Sequence, residues 1–389
     1  MIVGIDASNV RSGGGLAHLA GVLGHAEPGA HGISRIVVWG AAATLEHLPE
    51  RPWLQRIHEP ILDRRLPFRL WWQRYRLPQL AASCDLVWLD SGYAIGRLPP
   101  TVAHSHNLLP FDLSEIRRYG LSLTTLRLLL LRWAQTRTFR GAAGVIFLTQ
   151  GARDAVLATT GPLARMAVIP HGVEDRFRIP ARPPRRLSDC TLENPIRLLY
   201  VSIVDVYKHQ WHVAEAVASL RRAGLPVALD LIGPAYPPAL LRLRRVLGRH
   251  DPQGTYLRYR GSLPYSEIET AYHMADLFVF ASSCETISNI LLEAMAAALP
   301  IACSNRPPMP EVAGDAAEYF DPEQPDDIAR AIRTLIDDVE LRARCAKSAM
   351  ERAARFSWVR CADETLAFLA ATVYGANAGI ESASGGRGR

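Results

Sequence analysis

"DLFVFASSCETISNILLEAMAAALPIACS", residues 276–304, reads as a strand, a loop, a helix and a second strand in one stretch. "DLFVFAS" is a short, continuous apolar run ending in small residues, and "PIACS" is another, as in strands buried on both faces. Between them "ILLEAMAAAL" is made of strong helix formers, and Ser288 or Asn289 ahead of it is a good N-cap. Two strands joined through a helix make the crossover unit of a parallel sheet. The stretch also carries two carboxylates, Glu285 in the loop at the C-terminal end of the first strand and Glu293 about one turn inside the helix.

The same alternation extends in both directions. "MIVGIDAS" leads through a Gly-rich turn into a helix pattern, and "RIVVWG" (35–40), "DLVWLD" (85–90), "TVAHSHN" (101–107) and "GVIFLT" (144–149) are further strands. A Pro-rich polar stretch, "IPARPPRRLSDCTLENP" (179–195), reads as a linker, after which "IRLLYVS", "VALDLIG" and "TYLRYRGS" restart the pattern. The expected class is α/β, with two doubly wound parallel sheets. The chain of 389 residues suits two domains, set at 1–178 and 196–356, with a helix over 357–374 and a small, polar, disordered tail over 375–389. Ligands of such sheets bind beyond the strands' carboxyl ends, so the site is expected in a cleft where two sheets face each other.

Composition narrows the function. With 49% hydrophobic and 21% charged residues, the chain is a folded globular protein. Its six cysteines show no C-x-x-C pair and are read as reduced and mostly structural. The start "MIVGID" has no leader pattern and no run reaches membrane-spanning length, so a cytoplasmic protein is expected. A net charge of +6 suits an anionic partner. Two segments, 64–78 and 116–140, mix arginines with Trp71, Trp72, Tyr75, Tyr119 and Trp133. They read either as a peripheral contact with an anionic membrane face or as solvated helix faces with aromatics turned inward. No nucleic-acid motif is present.

The two glutamates frame a ligand. The N-terminus of the helix after Ser288 is a ready phosphate site. Were the whole span helical, Glu285 and Glu293 would lie roughly 12 Å apart at about 1.5 Å per residue. Carboxylates at both ends of a molecule with phosphate in its middle fit a nucleotide sugar. On spacing alone, an exposed helix glutamate and a loop charge are the favoured reading.

Residues 284–332, "CETISNILLEAMAAALPIACSNRPPMPEVAGDAAEYFDPEQPDDIARAI", resemble the signature of the family 4 glycosyltransferases, with its E-x7-E spacing, "EAM", "LP", "PEV" and "G-D-A" turns. "YVSIVDVYKHQ" (200–210), "VIPHGV" (168–173) and a terminal "RFSWVRCADETLAFL" support the likeness, which is strong over 140–370 and weaker before it. The resemblance implies the GT-B fold, two Rossmann-like domains facing across a cleft with a C-terminal helix crossing back to the first. It also implies retaining transfer of a sugar from a nucleoside diphosphate donor to a hydroxyl acceptor, free or lipid-linked, in surface polysaccharide or lipid-linked oligosaccharide synthesis.

Carried over by position, the resemblance puts Lys208 on the donor diphosphate, Glu285 on sugar hydroxyls, Glu293 on ribose, and Ser288 and Asn289 at the donor beside the helix start. Gly13, Gly14 and Gly15 match a Gly-rich loop that approaches the diphosphate, and His106 the first-domain histidine near the transferred sugar. The family's arginine five residues before the lysine is replaced by Ile203. No metal or other cofactor is expected, since lysine and helix dipole carry the electrostatic role. His104 and His106 could be a metal pair, but with no carboxylate or cysteine cluster beside them in sequence that reading is set aside. His209 and His212 are read as structural. Front-face attack, with the leaving phosphate taking the acceptor proton, is the expected route. The competing functions are a nucleotide-sugar epimerase or phosphorylase on the same fold, and a non-enzymatic membrane-surface protein.

Overall fold

The computed structural model describes residues 1–11 and 13–384, with side chains for all of these but Tyr265 and 375–384. The chain divides into two compact units. One comprises Met1–Asp112, Leu121–Gly172 and the C-terminal segment from Ser357, and the other Leu113–Gly120 and Val173–Phe356.

In the first unit, β1 (Ile2–Asp6), β2 (Arg35–Gly40), β3 (Leu54–His58), β4 (Leu86–Leu89), β5 (Thr101–His104), β6 (Gly144–Phe147) and β7 (Met166–Val168) form one sheet in the order β3-β2-β1-β4-β5-β6-β7. Every pairing in it is parallel. The order reverses between β1 and β4, the switch point at which loops diverge and leave a crevice. Its core is built of Val3, Ile5, Leu19, Leu23, Val38 and Trp88, together with Trp358, Leu366 and Leu369 of the terminal helix Trp358–Ser384. That helix packs on the first unit as the resemblance implies. It also continues through 375–384, part of the stretch expected to be a disordered tail; 385–389 lie outside the described residues. No proline interrupts the sequence there, and alanines keep helix propensity adequate.

In the second unit, β8 (Ile196–Val201), β9 (Val227–Ile232), β10 (Leu257–Tyr259), β11 (Leu277–Phe280), β12 (Ile301–Ser304) and β13 (Ala317–Phe320) form a parallel sheet ordered β10-β9-β8-β11-β12-β13. Its switch point falls between β8 and β11. Residues 179–195, expected as a linker, are fastened to this unit: Arg182 donates to the Ala275 carbonyl at 2.6 Å, Arg185 pairs with Asp276 at 3.1 Å, and Arg342 donates to the Arg185 carbonyl at 2.6 Å.

The basic segments show both expected behaviours. Trp72 is fully buried, but its neighbour Trp71 is 51% exposed and Trp133 66% exposed. The 116–140 segment divides, with Leu113–Gly120 in the second unit and the helix Leu123–Gly141 in the first. On that helix Leu123, Leu126, Leu130 and Trp133 all face solvent. Arg69 of the first segment is within electrostatic range of Arg127 in the second. No helix among the described residues is long and apolar enough to cross a membrane.

Candidate functional site

Lys208 ends the single turn Val206–Lys208 that follows β8 and leads into the helix Gln210–Arg222. Asp205 opens that turn, its carboxylate accepting the Val206 N–H at 2.7 Å. His209 joins turn to helix at φ 52°, a left-handed conformation uncommon for a residue with a Cβ. The turn is tied to the loop after β11, the neighbouring strand. The Ser283 N–H donates to the Tyr207 carbonyl at 2.9 Å, and His209 Nε2 lies 3.0 Å from Ser283 Oγ. From below, Tyr200 donates to the Lys208 carbonyl at 2.6 Å.

This framework brings Lys208 Nζ against Glu285 Oε1 as an ion pair, both side chains nearly out of solvent. The ammonium also lies 5.0 Å from the Tyr207 ring centre and 5.2 Å from that of Phe280. The two residues assigned from the motifs to diphosphate and sugar thus meet at the switch point of the second sheet. A lysine held among aromatics and one carboxylate is a preorganised positive charge that an incoming phosphate can claim.

The expected helix runs Asn289–Ala296, with the Ser288 hydroxyl accepting the Leu291 N–H at 3.4 Å as its cap. Residues 285–288 are not helical, so the separation reckoned for a continuous helix does not apply. Glu293 is buried, and burial is the main reason its carboxyl is pushed up to about 8, with a smaller contribution from Glu174. The Tyr272 hydroxyl and Arg176 pull in the other direction. Tyr272 donates its one hydrogen in a setting with two acceptors, Glu293 Oε2 at 3.0 Å and the Ile290 carbonyl at 3.2 Å. A protonated Glu293 would donate to the Tyr272 oxygen and leave the tyrosine hydrogen for the Ile290 carbonyl.

Ile203 is partly exposed where the family has arginine. Two arginines lie near enough to His209 to help lower it to about 3, after burial, the larger cause: Arg118 and Arg242. Arg118 is engaged by Glu323 at 2.6 Å and Glu115 at 2.8 Å, while Arg242 stacks on Trp211 at 4.2 Å. Tyr119 donates to Asp205 at 3.0 Å. The Arg118 and Tyr119 contacts were not legible in the sequence, because Leu113–Gly120 joins the second unit from a distant part of the chain. His212 Nδ1 lies 3.0 Å from the Pro322 carbonyl, in keeping with its structural reading.

In the first unit the three glycines form the opening turn of the helix Gly13–His25 rather than a separate loop. Gly13 has φ +68°, which favours glycine, and open space lies beside Gly13 and Gly15. His106 follows β5 by two residues, its Nε2 3.2 Å from Asp90 Oδ1 at the end of β4. The ground for setting aside the histidine pair as ligands is overturned here. A carboxylate does stand beside it, and so do His18 and His171, with ring centres 4.5 Å (His18 to His104) and 4.6 Å (His18 to His171) apart. Burial pushes His104 well down and His18 to about 4; the His106 and His18 imidazoles hold Asp90 low although burial alone would raise it.

A separate concavity of about 890 Å³ lies between β8–β10 and the helix Tyr265–Met274, but none of Lys208, Glu285 or Glu293 lines it. The candidate chemistry therefore lies outside this hollow.

Comparison with known proteins agrees with this geometry. Residues 191–352 match the family model "Glycosyl transferases group 1", and residues 30–177 match "Glycosyltransferase Family 4". Over 111 residues the chain is 33% identical to the O-antigen chain mannosyltransferase B of Escherichia coli, covering 28% of this chain and 29% of that protein. Over 244 residues it is 28% identical to a glycogen synthase of Mycobacterium tuberculosis, covering 60% of this chain and 54% of the other. The matched stretches thus span less than two thirds of these relatives. Among solved structures, Anabaena Alr3699/HepE in complex with UDP and glucose aligns with a TM-score of 0.68 at 18% identity, covering 94% of this chain and 98% of that one. With both halves matched by glycosyltransferase models, and with two parallel sheets and a returning terminal helix, the chain belongs to the family 4 glycosyltransferases of the GT-B fold.

Proposed function

We propose that this glycosyltransferase moves a sugar from a nucleoside diphosphate donor to a hydroxyl acceptor with retention of configuration, in making a bacterial surface polysaccharide or lipid-linked oligosaccharide. The observation that carries the reading is the buried Lys208–Glu285 pair at the β8/β11 switch point, with a capped helix bearing Glu293 just beyond it. On donor binding Lys208 exchanges its carboxylate partner for the diphosphate and stabilises the charge that grows as the sugar leaves. Glu285, released, accepts from sugar hydroxyls, and Glu293 meets the ribose. Ser288 and Asn289 offer the helix start to phosphate. Gly13, Gly14, Gly15 and His106 are proposed as the first unit's contribution to the same reaction.

The glycosidic bond to phosphate breaks as the acceptor oxygen bonds to the same face of the sugar. The acceptor proton goes to the leaving phosphate oxygen. A cation at the diphosphate is not needed on this reading, because Lys208 supplies the positive charge. HepE's complex with UDP and glucose supports a nucleotide-sugar donor, and the mannosyltransferase and glycogen synthase relatives support a polysaccharide product. The exposed arginines and aromatics of 64–78 and 123–140 are proposed to meet an anionic membrane at its cytoplasmic face, where a lipid-linked acceptor lies.

A thermal-shift panel of UDP-, GDP- and ADP-sugars tests the donor assignment, since a ligand of the folded state alone raises its melting temperature. One donor class should stabilise the wild type and lose most of that effect in Glu293→Ala. Equal shifts in both proteins would remove Glu293 from the donor site.

A further inference from the structure

We propose that His18, Asp90, His104 and His106 of the first unit form a site for one divalent transition-metal ion of the zinc, cobalt or nickel class. One candidate ligand atom from each lies within 4.8 Å of all the others, the one such group among the described residues. Tetrahedral coordination with bonds near 2.0–2.1 Å sets donor atoms about 3.3 Å apart. Asp90 Oδ1 already stands 3.2 Å from His106 Nε2 and 3.5 Å from His18 Nδ1.

A second observation points to a ligand. His104 is fully buried, yet neither of its ring nitrogens has a hydrogen-bond partner, and Asp90 Oδ2 is likewise buried and unpaired. Buried polar groups are normally satisfied, so these orphans sit in a cluster that something is built to fill. His104 is packed among the other members, its ring centre 4.5 Å from His18 and 3.9 Å from His106. The His106 ring, 17% exposed and stacked on His104, forms the solvent side of the cluster. A set of three imidazoles and one carboxylate favours borderline metals over magnesium or calcium, which prefer all-oxygen shells.

The elements say what an ion would do. His18 lies on the helix Gly13–His25, Asp90 follows β4 and His104 ends β5. A bound ion would clamp the first helix of the unit to the carboxyl ends of two central strands. His106 is shared with the transfer reaction proposed above, so the test reads ion binding itself rather than turnover.

The test uses the full chain after chelator treatment and dialysis. Titration with Co²⁺ should produce a visible absorption band of tetrahedral type that saturates at one ion per chain and disappears on adding Zn²⁺. Zn²⁺ should raise the melting temperature by several degrees where equal Mg²⁺ does not. His104→Leu and Asp90→Asn, each checked for a native circular dichroism spectrum, should weaken Co²⁺ binding by at least about 100-fold, since even outer-shell losses cost 10–100-fold. His58→Ala, at an exposed histidine paired with Asp63, should leave the titration unchanged. Absence of the band in the wild type overturns the proposal without reference to any variant. So does a band that survives in both His104→Leu and Asp90→Asn.

Discussion

Replacing Glu293 by Gln should abolish much of a pH dependence in the second unit's stability. In the folded chain this carboxyl is pushed up to about 8, first by burial, whereas in the unfolded chain it titrates near 4.5. Between these values the folded state keeps a proton that the unfolded state has lost, so stability is full below about pH 4.5 and is lost as pH rises through 8. Three and a half pH decades at about 1.4 kcal/mol each give roughly 5 kcal/mol as the upper bound. Local relaxation and water entry reduce it, and half is a reasonable expectation. Gln fits the same space and stays neutral; its amide can donate to the Tyr272 oxygen, leaving the tyrosine hydrogen for the Ile290 carbonyl. Melting curves of wild type and Glu293→Gln at pH 5, 7 and 9 should therefore nearly coincide at pH 5 and separate progressively, with the variant higher by about 5–10 °C at pH 9, at about 2–4 °C per kcal/mol. A gap that does not change with pH would refute the argument, because it would mean that Glu293 is ionised throughout or that its surroundings solvate the charge.

Lys208→Ala should lower turnover by about 10² or more while the chain stays folded, in line with removal of one preorganised electrostatic contact; undiminished turnover in a steady-state assay would show that the diphosphate is held elsewhere. Gly172→Ala should destabilise the first unit by about 2 kcal/mol or more in denaturant unfolding, since the added Cβ would stand 2.3 Å from the Trp358 backbone nitrogen and push the terminal helix off its seat. Reversing Arg65, Arg74 and Arg76 to Glu should abolish sedimentation with anionic liposomes but leave the donor-induced thermal shift intact. Arg69 is spared in that design because it turns inward, 3.4 Å from the Ser8 carbonyl. Wild-type chain that ignores anionic liposomes would return these segments to ordinary solvated faces.

The strands missed in the sequence have a common position. β3, β7 and β13 are all edge strands, while every central strand of both sheets was legible. A central strand of a parallel sheet is covered on both faces and becomes a continuous apolar run, as in "LVWL" and "LFVF", all eight residues buried. The edge strands β3 and β13 are half-exposed and keep polar residues, "LQRIH" and "AEYF", which a short-run pattern does not separate from a loop, whereas the edge strand β10 was legible within "TYLRYRGS". The boundary near residues 113–120 was hidden for a related reason. Which unit a short helix joins is decided by long-range partners such as Arg118 with Glu323, and spacing along the chain carries no trace of them.

The two candidate sites differ in the same way. In the second unit, Ser288, Asn289 and Glu293 share one helix and its cap, so local spacing fixes their relation once the helix is recognised. Lys208 and Glu285 are far apart in sequence, but each follows directly on a strand at the switch point, and the topology of a doubly wound sheet brings those two loops together. The first-unit cluster has neither advantage. His18 comes from a helix, Asp90 and His106 from two strand ends, and His171 from the segment after β7, and only the His104–His106 pair is close in sequence. That pair alone is indistinguishable from two core histidines. What changes its meaning is the buried charge of Asp90, which burial disfavours and which the surrounding imidazoles, or a cation held by them, must offset. The chemistry of this unit therefore turns on a carboxylate that the sequence presents as the last residue of an ordinary strand.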